Sequence, residues 1–468
     1  ADGSVSRKGV VYNEMRGLFA DVDELSSLAA QRALFPDTPY RYESGGHPEH
    51  IPELTYEQFI AAHRRCYSPS NAYVYLDGDL DIDAVLKLMD EEYLRGMPRG
   101  ERIATPAPQK PVSAGTTRVV YELSPEEPCE ERYRLLLGRV IGNVTEREKL
   151  VAMQVLATVL CGDNQAPLTR AVLDEGLAEA VTLWIWDSVQ QPWARLEVRN
   201  LREENLQRVR DVLTSELTRL ASEGLDRARL TAAMANLEFQ MRERDYGSWP
   251  QGLMLGLNVL DSWMRDGAPE ANLEVGRLFD VLKSRMDSGY FEQLIREVLL
   301  NNPHSCEVIM VPSHEAGAER AARDEAGLKR ISEGWSEAER AGLVAFGERL
   351  NAWQQSEDSP EALAGIPRLR LEDLSAEPEA YPCSVGELAG VPLLRHELAA
   401  GGISYITLYF DVTPLSCAQV SHLSAVTALL GKLSTAAHSA EEISRMAQLL
   451  TGSMNFSLNS LTRVDGTY

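Results

Sequence analysis

One carboxylate stands out in this chain of 468 residues. Glu14 lies in Gly9-Val10-Val11-Tyr12-Asn13-Glu14-Met15, inside a stretch of helical periodicity and among apolar neighbours. An ionised side chain on an apolar helix face is costly unless a cation, a hydrogen-bond donor or a metal compensates it. The residues alone leave two readings, a salt-bridged or surface position and a carboxylate kept for a ligand, and physics favours the first. The eight histidines are His47, His50, His63, His304, His314, His396, His422 and His438. His47 and His50 form H-P-E-H, a tempting metal pair. A helical pair needs i, i+4 spacing on a rigid face to aim two ring nitrogens at one ion. Here Pro48 interrupts a Gly/Pro-rich stretch, so a surface loop is the better reading. His63 precedes Arg64-Arg65 on a helix and reads as half-buried and structural.

H-E-x-x-H, H-x-x-E-H, G-x-S-x-G and G-x-x-x-x-G-K-[ST] are all absent from the sequence. Asp77-Gly78-Asp79-Leu80-Asp81 lacks the spacing and closing glutamate of a calcium loop and reads as a strand-to-helix turn. Cys66, Cys129, Cys161, Cys306, Cys383 and Cys417 lie far apart, with no C-x-x-C. They fit reduced, mostly buried thiols in a cytosol-like compartment. Asp plus Glu number 70 against 46 Lys plus Arg, a formal charge of −24. That balance disfavours nucleic acid and anionic lipid as partners and suits basic ligands, including positively charged peptides. No apolar run reaches the roughly 18 residues of a spanning helix, so no membrane partner is expected.

These residues need elements to position them. Helical spacing runs from 8 to 34 and stops at Phe35-Pro36-Asp37; residues 40–52 are loop. Thr55 opens a helix that ends at Ser68-Pro69-Ser70-Asn71. Residues 72–76 read as a buried strand, and 81–93 as a helix. The proline-rich stretch 97–113 reads as a linker. A second unit comes next, with strands at 118–123, 132–138, 182–187, 194–198 and 306–312. Its helices fall at 146–160, 203–223, 226–244, 251–264, 273–286 and 290–300. Residues 314–356 fit two helices, expected to pack as a hairpin. A third unit has strands at 391–396, 403–412 and 454–460, and helices at 416–436 and 440–451. It repeats the opening order of the second unit, a weak internal repeat expected to be cut short.

Several strings carry a family resemblance. They are K-G-V-V-Y-N-E-M-R-G (8–17), A-L-F-P-D-T-P-Y (33–40), S-G-G-H-P-E-H-I-P-E-L-T-Y-E-Q-F (44–59) and Y-S-P-S-N-A (67–72). N-Q-A-P-L-T-R-A-V-L-D-E-G-L (164–177), R-E-R-D-Y-G-S-W-P-Q-G-L (242–253), G-Y-F-E-Q-L-I (289–295), N-P-H (302–304) and I-P-R-L-R-L-E-D-L (366–374) extend the match. Together they resemble the presequence-protease branch of the pitrilysin/insulinase zinc metallopeptidases, over essentially the whole chain.

The resemblance implies an α+β fold, an α/β sandwich. Repeated pitrilysin-type domains carry mixed, largely antiparallel sheets with helices packed on them, joined by a helical hairpin. It divides the chain into 1–100 (the C-terminal part of a first, catalytic domain), 114–313 (a second domain), 314–358 (the hairpin linker) and 376–468 (the N-terminal part of a truncated third domain). It implies a zinc endopeptidase that cuts short unfolded peptides in a chamber closed by two halves. In that family two histidines and the general base come from an inverted H-x-x-E-H helix, expected upstream of residue 1. A distal glutamate in N-E-M-K-G is the third ligand, and it aligns with Glu14; Arg16 stands where the family often has lysine. The fragment itself is then expected to be inactive and to hold zinc weakly. Its expected partners are peptide substrates and the remaining N- and C-terminal parts of the same protein, in a bacterial cytoplasm or an organelle matrix. The alternative is a non-catalytic scaffold or binding subunit of the same fold; the retained N-E-M string argues against it.

Overall fold

The computed structural model describes residues 5–461 except 378, 379, 399 and 401. The chain divides into two compact units, one of Lys8–Ala318 and residues from 408 on, the other of Glu319–Thr407 with the first residues. In the larger unit the elements run α1 (Val10–Leu18), α2 (Val22–Leu34), α3 (Tyr56–Cys66), α4 (Ile82–Leu88), β1 (Ser113–Glu122), β2 (Tyr133–Val140), α5 (Arg147–Cys161), α6 (Pro167–Leu173), β3 (Ala180–Trp186) and β4 (Trp193–Leu201). They continue with α7 (Leu206–Glu223), α8 (Arg227–Glu243), α9 (Gln251–Trp263), α10 (Val275–Ser284), α11 (Tyr290–Leu294) and β5 (Ser305–Ser313).

Five strands form one sheet in the order β1-β5-β2-β4-β3. Only β1 and β5 pair in parallel; the other ladders are antiparallel. The expected mixed, largely antiparallel sheet is therefore present. Successive side chains of a strand face opposite ways, so each strand feeds two cores. Leu135, Ala194, Leu196, Val198 and Ile309 meet α5, α7, α8, α10 and α11 on one face. Leu136, Val140, Trp193, Cys306, Val308 and Met310 meet Ala30, Leu34 and Phe35 of α2 on the other. One helix from the first hundred residues thus completes the second sandwich layer.

A charge cluster fixes α2 to that face. Asp21 caps the helix by accepting from the backbone of Asp23 and Glu24. Arg195 donates to Ser27 Oγ (2.6 Å) and Ser26 Oγ (2.7 Å), and pairs with Glu197 (3.2 Å). Arg199 joins Glu197 (2.8 Å) to Asp23 (3.1 Å), and Arg134 also reaches Asp23 (2.5 Å). Glu197 is fully buried. At the other end of α2, His304 is buried against Phe35, its Nε2 at 2.7 Å from the Leu34 carbonyl. Burial lowers the His304 pKa below its ordinary 6.5, with the Leu34 carbonyl opposing. A folded pKa below the unfolded one contributes stability that is complete above the unfolded value. It is lost as pH falls through 6.5 toward the folded value, since the unfolded chain then takes up the proton. The melting temperature is expected to drop on acidification from about pH 7 to about pH 5, and less steeply in His304→Gln.

Residues 72–76 are not a strand. They are extended, but among the described residues no strand pairs with them, so the expected ladder does not form. Instead they run along α9. Tyr73 stacks edge-on against Trp263 at 4.8 Å, and a Cβ on Gly256 would come within 2.7 Å of the Tyr75 ring. Gly252 offers similar room to Asp77. Gly256→Val is expected to lower stability by about 1–3 kcal/mol through overpacking, read as a lower melting temperature, while Gly276→Ala, which no backbone or apolar side chain crowds, leaves it nearly unchanged.

The smaller unit holds α12 (Ala316–Glu333, begun in the larger unit), α13 (Glu337–Gln354), α14 (Pro360–Ala364), β6 (Ser384–Leu388) and β7 (Val391–Arg395). The two linker helices are present, and no residue of α13 is buried. β6 and β7 form a hairpin turned by Ala389 and Gly390, both at positive φ (51° and 82°), as a two-residue turn requires. The chain then returns to the larger unit, where α15 (Cys417–Leu429) and α16 (Ala440–Leu450) complete the order, each opened by a serine capping box. Residues 403–412 and 454–460 are not strands either: Ile406, Tyr409 and Phe410 are about four-fifths exposed (83%, 80% and 80%), with no ladder among the described residues. No helix of the described residues is long and apolar enough to cross a membrane.

Candidate metal-ligand helix

Glu14 lies on α1, whose buried side chains are Tyr12 and Met15. Those two are three residues apart and share a face. Glu14 points away from that face and is exposed, so the apolar environment expected from its sequence neighbours is not where it sits. Neighbours at i±1 face other directions on a helix. The residues that do share its side are Val10 and Val11, at i−4 and i−3, and they are exposed too (86% and 51%).

The helix is held from behind by the loop after residue 44. Gly45 passes so close that a Cβ there would lie 2.2 Å from the Met15 sulfur. His47 packs edge-on against Phe19 at 4.6 Å. Burial lowers the His47 pKa; Arg32 and His50 add to the effect and Glu49 opposes it. The two rings of H-P-E-H are 5.3 Å apart and tilted by 49°, and His50 Nδ1 is engaged by Glu53 at 2.9 Å. The pair braces α1, as the loop reading implies. His63 is exposed, stacked on Tyr67 at 4.4 Å, rather than half-buried. Its helix has its apolar positions in the open as well, Tyr56 and Phe59 among them.

Among the described residues no three His, Cys, Asp or Glu side chains come together as a metal group. As a complete zinc site these residues do not fit; α1 presents a single accessible carboxylate on a rigid helix. The cysteines are less buried than expected: only Cys306 is buried, Cys66, Cys129 and Cys161 are intermediate, and Cys383 and Cys417 are exposed. Burial pushes the Cys161 and Cys306 thiols up to about 12, which makes both inert. The charged cluster under α2 is not legible as a site from spacing, and neither is α6 as an element.

Residues 53–237 match the family described as "Peptidase M16 inactive domain", and 310–467 match the associated domain of the C branch of the same peptidase group. Protein HypA of Clostridium perfringens is 31% identical over 449 residues, 96% of this chain and 46% of that protein. "Presequence protease 1, chloroplastic/mitochondrial" of Arabidopsis thaliana is 32% identical over 425 residues, 88% of this chain and 39% of that one. The chain thus spans less than half the length of either relative. In fold it is similar to a protease from Helicobacter pylori (TM-score 0.51, 16% identity, 66% of this chain and 74% of that one).

Proposed function

The chain belongs to the M16 peptidase family, and on that premise we propose that it is a segment of a zinc-dependent endopeptidase that degrades short unfolded peptides in a chamber closed by two halves. The observation that carries this reading is α1. A carboxylate stands exposed beside two exposed valines, on a helix whose other face is pinned by Gly45 and His47. Exposed apolar residues around a fixed charge suit a surface that faces more protein. Glu14 would supply one zinc ligand, and the remaining donors would come from other parts of the parent protein. When bound, the metal supplies Lewis acidity toward a peptide carbonyl.

The relatives named presequence proteases support basic, unfolded peptides as the substrate class, which the −24 charge suits. The compartment is a bacterial cytoplasm or an organelle matrix, according to the parent's origin. The second reading, a scaffold without catalysis, draws on the "inactive domain" description over 53–237, a span that begins after Glu14. The test uses the full-length parent and an unstructured basic peptide with a fluorescent reporter. Cleavage is expected, lost on chelation and restored by zinc. Cleavage that survives exhaustive chelation, or none with zinc present, overturns the proposal.

A further inference from the structure

A cavity of about 960 Å³ opens between α5, the edge strand β3, α8 and α9, away from α1 and its bracing loop. Its volume lies in the range of small-molecule sites. One part of its wall is apolar, with Leu237, Met241 and Leu255. The other part carries opposite charges that do not meet. Arg147 projects from the first turn of α5, and among the described residues its guanidinium has no hydrogen bond and no ion pair. Its Nε is buried and unsatisfied, and burial lowers its pKa. Asp187 and Asp261 are near enough to oppose that shift without pairing to it. Asp187 is held by Gln154 Nε2 at 3.0 Å, and burial raises its pKa. Asp261 is drawn to Arg265 at 3.4 Å. The Thr182 hydroxyl on the same wall is buried with no partner.

A half-buried cation without a partner is a cost that folding alone does not explain. A guanidinium is suited to a carboxylate, and a carboxylate beside it to an ammonium. We propose that this cavity binds a zwitterion with apolar side chains, a short peptide with free termini or an α-amino acid. Its carboxylate is taken by Arg147, with Thr182 Oγ as a further donor, and its ammonium by Asp187. The apolar wall takes the side chains. The site is independent of the proposed zinc chemistry, because every group in it belongs to this chain and its readout is binding.

The probes are leucyl-leucine and free leucine, with N-acetyl-leucine and leucinamide as single-charge controls, titrated calorimetrically into the 468-residue chain. Saturable binding with Kd near or below about 1 mM is expected for at least one of the two zwitterions. Preference for the dipeptide identifies a peptide site, and preference for leucine an amino-acid site. Each control should bind at least ~10-fold more weakly, since it leaves one buried charge unanswered. Arg147→Met should abolish binding while leaving the melting temperature of the free protein equal or higher, because an unpaired buried charge is removed. Should that variant fold poorly, Asp187→Asn provides a second arm, weakening the zwitterion and not N-acetyl-leucine. Absence of saturable binding by either zwitterion, or a single-charge control binding as tightly as the zwitterion, overturns the proposal. So does unchanged binding in a folded Arg147→Met or, where that variant fails to fold, in Asp187→Asn.

Discussion

Glu197→Ala is expected to loosen α2 from the sheet and cost about 3–5 kcal/mol, the range for removing one partner from a buried ion pair. Glu197 is fully buried, and it stands between Arg195 and Arg199 at 3.2 and 2.8 Å. Without it those two and Arg134 share only Asp23, which is half exposed and at 3.8, 3.1 and 2.5 Å from them. The loss is not confined to one pair, because Arg195 also holds Ser26 and Ser27 in the first half of α2. A drop in melting temperature on the order of 10 °C is expected for a unit of this size. Limited proteolysis should cut first around residues 19–21 and 36–44, the ends of α2. Glu197→Gln retains shape and one hydrogen-bond acceptor and should cost less. Equal melting of wild type and Glu197→Ala would show that the cluster carries no net stabilisation.

Glu14→Gln in the full-length parent is expected to reduce peptide cleavage by at least ~100-fold, since even an outer-shell partner of a metal costs up to that much. It should also lower bound zinc, measured by elemental analysis after dialysis. The fold should not change: Glu14 is exposed and the buried residues of α1 are Tyr12 and Met15, so the stability effect should stay within about 0.5 kcal/mol. A scaffold would show no change in either property. Retained zinc and retained activity together would remove Glu14 from the metal site. Loss of zinc with an intact circular-dichroism spectrum is the outcome that supports it.

Much of the larger unit is legible in the sequence because its elements carry local signals. Thr55 and Gln58 form the reciprocal capping box that a Thr followed by an amide suggests. The strands of the five-stranded sheet alternate between two buried faces and find partners, so pattern and outcome agree. Residues 72–76, 403–412 and 454–460 have the same apolar character without a ladder, and hydrophobicity alone does not make a strand. Ala389-Gly390 is a turn that the hydrophobic pattern passes over; its positive φ values explain the β6–β7 hairpin. The Arg195–Glu197–Arg199 alternation has the look of one solvated edge of β4. Its partners Ser26, Ser27 and Asp23 are some 170 residues away, a separation no local pattern spans. Glu14 itself is legible through its string but not in its surroundings, because adjacency along a helical chain is not adjacency in space.

The placement of α2 bears on how the gene can be divided. The proline-rich stretch near residue 100 invites a cut there, as if two modules met end to end. Expressing only the portion beyond it would strip a lid from Leu136, Val140, Trp193, Val308 and Met310 and leave a greasy plane facing water. Such a product should precipitate or pair with itself, and supplying residues 8–42 as a separate peptide should restore its solubility.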